Sequence, residues 1–205
     1  MKLDYAIPAQ GVSFEETIKK SRFITLLAHA ADRKQAYAFV ANTRQQHPEA
    51  RHHCWAFVAG APTDSQCLGF SDDGEPSGTA GKPILAQLQG SGVGEIVAVV
   101  VRYSGGIKLG TGGLVKAYGG GAQQALKLLE TETKVAMERV ILTFDYSHSG
   151  TVERMLELHQ GEKFASDFGN QAVFEVQVPC ANVAGFEQQL VDASKGAITI
   201  KREQP

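Results

Sequence analysis

Alternating apolar positions open the chain's pattern, from Val12 to Lys20 and from Ser21 to Ala30, and read as two strands. In the second, Phe23, Thr25 and Leu27 share one face, and Ile24 and Leu26 the other. Lys19, Lys20 and Arg22 form a basic cluster between the two. The spacing then changes to a helical one. Asp32 stands as N-cap with Gln35 in the capping-box position, and Ala36, Phe39, Val40 and Thr43 line one face until Pro48 stops the helix. Arg51 to Ala59 returns to period two, with His52, Cys54, Ala56 and Val58 on one side and His53, Trp55 and Phe57 on the other.

A long polar loop is expected next, ending in the run from Ser71 to Lys82, with Pro83 opening a short helix from Ile84 to Gln89. Glu95 to Tyr103 is apolar on both faces and reads as the most buried strand. The glycine-rich stretch from Ser104 to Gly113 turns the chain into a helix from about Leu114 to Leu129, whose face is Leu114, Tyr118, Ala125 and Leu129. Gly119, Gly120 and Gly121 inside it cost roughly 1 kcal/mol each relative to Ala, which points to a close backbone approach or a kink. Thr131 to Ala136 is polar and reads as a linker.

Beyond the linker the pattern is a strand (Val140 to Tyr146) and a helix marked by Val152, Met155, Leu156 and His159, stopped at Gly161. A hairpin follows, Glu162 to Phe168 and Gln171 to Val178 around Gly169-Asn170, then a helix capped by Asn182 and a last strand from Ala197 to Lys201. The order β-α-β-β-α-β is ferredoxin-like. The fold class expected is α+β, with an N-terminal domain over residues 1–132 and a C-terminal one over 137–205.

Composition changes this picture little. The 205 residues are 43% hydrophobic and 20% charged, as in ordinary packed proteins. The run from Ile96 to Val101 falls far short of the roughly 20 residues of a bilayer span. With no apolar signal core at Met1 to Tyr5, a cytoplasmic location and no membrane contact are expected. Cys54, Cys67 and Cys180 are too scattered for a disulfide framework. Net charge is −2 but uneven: residues 136–205 carry six Lys/Arg against ten Asp/Glu, net −4, which leaves +2 on residues 1–135. A polyanion would meet the first part.

Two glycine-rich segments carry the candidate chemistry. In the first, Asp72, Asp73 and Glu75 are a carboxylate group able to hold Mg²⁺, beside Ser77, Thr79 and Lys82; the alternative is an acidic surface loop whose carboxylates cap turns. In the second, Thr111-Gly112-Gly113 precedes a long helix, the arrangement that binds anions, with Arg102, Lys108 and Lys116 adding charge; a tight strand-to-helix turn is the plain alternative. Neither is a standard nucleotide motif. Pro76 and Pro83 stand where a P-loop needs Gly and Ser or Thr, and the second segment lacks the third glycine of a dinucleotide fingerprint. His52 and His53 face opposite ways on a strand, so they do not share one ion, and Cys54 with distant Cys67 makes no zinc pattern.

Four segments resemble the signature of the IMPACT family, and of its bacterial members in particular: Arg51 to Ala56, Ser71 to Pro83, Val99 to Gly106, and Leu109 to Tyr118. The resemblance in order and spacing covers most of residues 12–125, and the tail resembles the second domain of the bacterial members. It implies a first domain like ribosomal protein S5 domain 2, a βαβ fold also found in elongation factor G and small-molecule kinases. It implies a second domain like a late domain of elongation factor G. It further implies association with translation or stress regulation, RNA or ribosome binding, and a protein partner in the translation machinery. The site set is then Arg51, His53, Lys82, Arg102, Tyr103, Gly105, Gly106, Lys108, Thr111, Gly112, Gly113 and Lys116, with phosphates at the helix N-terminus and Tyr103 stacking on a base. One departure is Ser104, where the family usually carries a second aromatic ring. The N-terminal extension through which eukaryotic relatives regulate a stress kinase has no counterpart, so that partner is not expected. No cofactor is expected apart from Mg²⁺. A Mg²⁺-dependent phosphoester hydrolase or phosphotransferase using Asp72, Asp73 and Glu75, and a protein-binding adaptor using the acidic second domain, are the competing readings.

Overall fold

The apolar run Ile96–Tyr103 lies at the centre of a five-stranded sheet, and its alternate residues enter two different cores. A computed structural model, which describes residues 3–203, divides the chain into two compact units. One is Tyr5–Lys134 and the other gathers the residues before Tyr5 with those from Val135 onward.

The N-terminal unit runs β1 (Tyr5–Pro8), β2 (Val12–Ile18), β3 (Ser21–His29), α1 (Arg33–Gln46), β4 (His52–Val58), β5 (Leu68–Ser71), α2 (Gly81–Ser91), β6 (Ile96–Tyr103), α3 (Thr111–Lys127) and β7 (Thr131–Lys134). Its main sheet is antiparallel in the order β2-β3-β6-β4-β5, and β1 pairs with β7 in a separate ribbon. Period two decides the packing. Phe23, Leu27, Cys54, Ala56, Ile96, Ala98 and Val100 meet Ile84, Leu88, Leu114 and Tyr118 of α2 and α3. Ile24, Phe57, Val97, Val99 and Val101 meet Ala36 and Val40 of α1 on the other face. Strand β6 is therefore apolar on both faces because helices cover both sides, although the sheet is antiparallel. Each fully buried Phe, Leu, Ile or Val of these cores contributes about 1.5–3 kcal/mol.

Several expected boundaries move. The polar loop after β4 contains a short 3-10 turn and then β5, an edge strand paired to Trp55–Val58. Helix α2 begins at Gly81, so Pro83 is its third residue instead of its first. Helix α3 begins at Thr111, which makes Thr111, Gly112 and Gly113 its first turn instead of its approach. The expected linker is largely strand β7. Of the three glycines inside α3, Gly121 is the one pressed on the sheet: a Cβ there would sit 2.7 Å from Thr25 Oγ1. A Cβ on Gly119 would meet Pro83 of α2 at 3.5 Å, and Gly120 faces open space.

The C-terminal unit is β8 (Met137–Phe144), α4 (Ser149–Leu158), β9 (Glu162–Phe168), β10 (Ala172–Pro179), α5 (Val183–Ser194) and β11 (Thr199–Arg202). Its antiparallel order β11-β8-β10-β9 is the ferredoxin-like arrangement expected. Val140, Leu142, Phe144, Phe174, Val176 and Val178 pack on Val152, Met155, Leu156, Phe186 and Leu190 of the two helices. Asn182 precedes α5, yet its side chain makes no cap; its amide nitrogen donates to the His159 carbonyl at 3.0 Å.

Candidate anion-binding site

The loop between β5 and α2 is organised from within by its acids. Asp72 accepts from three backbone amides, Gly78 at 2.8 Å, Ala80 at 3.0 Å and Gly81 at 2.8 Å. Burial pushes its carboxyl pKa up, but the three amides and nearby Lys82 outweigh that and the net shift is downward. The positive end of α2 thus already holds an anion, and that anion is this protein's own carboxylate. Lys82 is exposed on the same turn.

Asp73 turns the chain with a positive φ of 41°. Its carboxylate accepts from Arg44 at 2.5 Å and from the His53 amide at 2.7 Å, and its carbonyl accepts from His52 Nδ1 at 2.9 Å. Glu75 points into the core. One oxygen, Oε1, accepts from Arg102 Nη1 at 2.6 Å and from the Tyr118 hydroxyl at 2.7 Å. Its side chain is 4% exposed and that of Arg102 10%, so the pair is largely removed from water. The Mg²⁺ set expected from Asp72, Asp73 and Glu75 does not assemble: the three carboxylates answer to three different groups of donors. Among the described residues no cluster of three or more His, Cys, Asp or Glu is arranged to hold a metal ion.

Cys54 lies beneath this loop, and its thiol donates to the Asp72 carbonyl at 3.0 Å. Burial, reinforced by the charges of Glu75, Asp73 and Asp72, pushes its pKa up to about 12. Burial likewise raises the Tyr118 hydroxyl far above its ordinary range. Both groups are held protonated, which suits donors and not nucleophiles.

The second segment differs. Gly110, with φ of 76°, precedes α3, and no side chain caps that helix. Leu114 is the first amide to find a carbonyl, that of Gly110 at 2.9 Å. The amides of Thr111, Gly112 and Gly113 have no partner among the described residues, and the first turn contains no acid. Thr111 and Gly112 are exposed. Seventeen residues of aligned peptide dipoles end here. The loop leading in is seated on the β2–β3 turn. Gly105 donates its amide to Ser21 Oγ at 3.3 Å, and a Cβ at Gly105 would fall 1.9 Å from the Lys20 carbonyl oxygen. Lys19, Lys20, Lys108 and Lys116 are exposed and form no ion pair among the described residues.

Residues 19–126 match the family model of the Impact N-terminal domain, and residues 142–197 match a domain of unknown function, DUF1949. The IMPACT family member YigZ of Escherichia coli (strain K12) is 55% identical over 196 residues, 96% of each chain. The chain belongs to the IMPACT family. A Haemophilus influenzae IMPACT family member is 52% identical, over 97% of this chain and 96% of its own. The Bacillus subtilis member YvyE is 34% identical, over 91% of this chain and 85% of its own. A crystal structure described as that of a hypothetical protein is 53% identical, with a TM-score of 0.82 over 100% of this chain and 99% of the other.

In this IMPACT protein the expected site residues fall into separate groups. Gly105, Gly106, Lys108, Thr111, Gly112, Gly113 and Lys116 belong to one stretch at the start of α3. Arg102, expected as an anion ligand, is buried and committed to Glu75 and to Ser21 Oγ at 3.4 Å. Tyr103, next along β6, lies on the opposite face, where its hydroxyl meets His47 Nδ1 at 2.9 Å and Arg22 sits 5.6 Å from its ring centre. His53 is buried there too, its Nε2 donating to the His47 carbonyl at 3.1 Å; burial lowers its pKa. Tyr103 and the free amides of α3 therefore do not form one platform. Arg51 and Ser104 are exposed at the ends of β4 and β6. Sequence reasoning passed over Ser21, Arg44, His47 and Tyr118 as partners. Tyr118 carried a signal: a tyrosine on an apolar helix face has a hydroxyl that needs an acceptor.

Proposed function

We propose that this IMPACT-family chain is a cytoplasmic RNA-binding protein of the translation machinery. On this reading the RNA phosphate backbone meets the start of α3. The observation that carries the proposal is the uncapped first turn of a 17-residue helix beside a loop and a hairpin turn that bear unpaired lysines. Amides aimed outward and the helix dipole favour a phosphate oxygen, while Lys19, Lys20, Lys108 and Lys116 supply sequence-independent attraction. The surplus of positive charge on residues 1–135 has the same sign. The Mg²⁺-dependent enzyme reading has lost its carboxylates, which are engaged elsewhere.

The test is binding of a labelled single-stranded RNA over a salt series. Neutralising about four phosphates gives a slope of log affinity against log salt near −3. The double substitution Lys108→Ala and Lys116→Ala should make that slope shallower by roughly 1.4. Binding that ignores salt, or that survives the double substitution unchanged, removes this site from the reading.

A further inference from the structure

At the far end of β6 a second buried acid has nothing to do with the α3 site. Glu95 is 3% exposed and adopts a left-handed backbone with φ of 51°. Its carboxylate receives donors from three separate strands. Tyr5 of β1 donates its hydroxyl to Oε1 at 2.8 Å, Lys134 of β7 reaches the same oxygen, and His29 at the end of β3 meets Oε2 at 2.7 Å. The backbone is tied as firmly: the Glu95 amide donates to the Gly60 carbonyl at 2.9 Å, and its carbonyl accepts from Ala30 at 2.7 Å.

Two of those donors, Tyr5 and Lys134, belong to the β1/β7 ribbon, and they are the polar side chains that tie it to the sheet. Each strand is four residues long, and β7 is exposed along its whole length. A two-stranded ribbon of this size is marginal on its own in water. Besides Glu95, it is joined to the rest of the unit by burial of Ile7 and Pro8, by Ala6 against the core beneath α2 and α3, and by an Ala6–Val93 bridge in which the Gly94 amide donates to the Ala6 carbonyl at 2.9 Å. The ribbon also has a special place in the chain. Both covalent crossings to the C-terminal unit, after Asp4 and after Lys134, leave from its ends.

We propose that Glu95 is a latch that fastens the β1/β7 ribbon to the end of the five-stranded sheet, and that removing its charge frees the ribbon while the sheet stays folded. Burial pushes the Glu95 carboxyl up, but Lys134, His29 and Tyr5 pull it further down, so it remains charged at neutral pH. Lys134 and His29 are the charged or titratable side chains that face it besides Tyr5, and both are more than one-third exposed (44% and 41%), open to competition from solvent.

Amide hydrogen exchange on the full chain at neutral pH tests this. Glu95→Gln keeps the shape and removes the charge. Residues 5–7 and 131–134 should then exchange faster by on the order of tenfold or more, with residues 96–103 unchanged. Unchanged ribbon exchange would mean that Ile7 and the backbone contacts suffice, and would overturn the latch. Equal acceleration across β3 and β6 would overturn it too, since Glu95 would then support the whole unit. Lys134→Met, at the exposed rim, keeps the idea testable if Glu95→Gln fails to fold. It should give a smaller acceleration confined to the ribbon, and wild-type exchange there would count against the latch equally.

Discussion

Glu75 and Arg102 meet at 2.6 Å, 27 residues apart in sequence, with both side chains at least nine-tenths buried. A buried ion pair is not in itself a large gain, but losing one partner leaves a charge stranded away from water. Arg102→Met should therefore destabilise the N-terminal unit by about 3–5 kcal/mol. Adding Glu75→Gln to Arg102→Met should recover part of that loss, because the stranded carboxylate is gone. Urea denaturation of the two singles and the double forms the cycle. Strictly additive effects would show that the pair is not coupled.

Strand pairing in this region follows from the sequence because period two is strict. The rule that set His52 and His53 on opposite faces also sets Arg102 and Tyr103 apart, so a single platform using both was already in conflict with the pattern. Strand β5 was hidden for a tertiary reason. Its four residues include Gly69, which lies under the Phe57 ring; a Cβ there would come 2.3 Å from that ring. The sequence points to a later start for α3 because Gly112-Gly113 resembles a turn, and only the hydrogen bond from Leu114 to Gly110 shows that the helix has begun. The acidic loop was legible as a loop, but the partners of its carboxylates were not. Arg44 lies 29 residues from Asp73, and Tyr118 lies 43 from Glu75. No local pattern announces such partners.

Asp72 predicts a particular dependence on acid. Its folded pKa is depressed below the ordinary 3.8, so the unfolded chain binds the proton more readily. The stability it supplies is present in full above that value and is lost as pH falls through the folded pKa. Asp72→Asn should cost about 0.5–2 kcal/mol near pH 7, as expected for a cap. The gap between the two melting curves should begin to close as pH falls below the ordinary carboxylate value of 3.8 and go on closing as acid is added. A gap that persists unchanged at the lowest pH would mean that the side chain acts through shape and not charge.

Cys54 should behave as an inert thiol. With its pKa pushed up to about 12 and its side chain fully buried, almost none of it is thiolate at pH 8. In the native chain, a disulfide reagent at that pH should leave Cys54 unmodified while half-buried Cys67 reacts. Modification of Cys54 should follow global unfolding, as read by mass spectrometry of the labelled peptides over a urea series. Rapid labelling of native Cys54 would place its sulfur in a different environment from the one beneath the Asp72 loop.

The β2–β3 turn sets stability against binding. Lys19 and Lys20 have φ of 45° and 65°, two successive left-handed residues in a two-residue hairpin, where Asn-Gly fits with least strain. An L-residue without that adaptation costs roughly 1–2 kcal/mol in this conformation. The pair of substitutions Lys19→Asn and Lys20→Gly should accordingly raise stability by about 1 kcal/mol, allowing for the added freedom of Gly in the unfolded chain. The same pair removes two exposed cations beside Gly105 and the loop into α3. If RNA uses that edge, the salt slope should become shallower by roughly 1.4 while the melting temperature rises. A more stable variant that binds RNA with the original slope would place the nucleic acid away from this turn; a less stable one would show that the left-handed lysines are not strained.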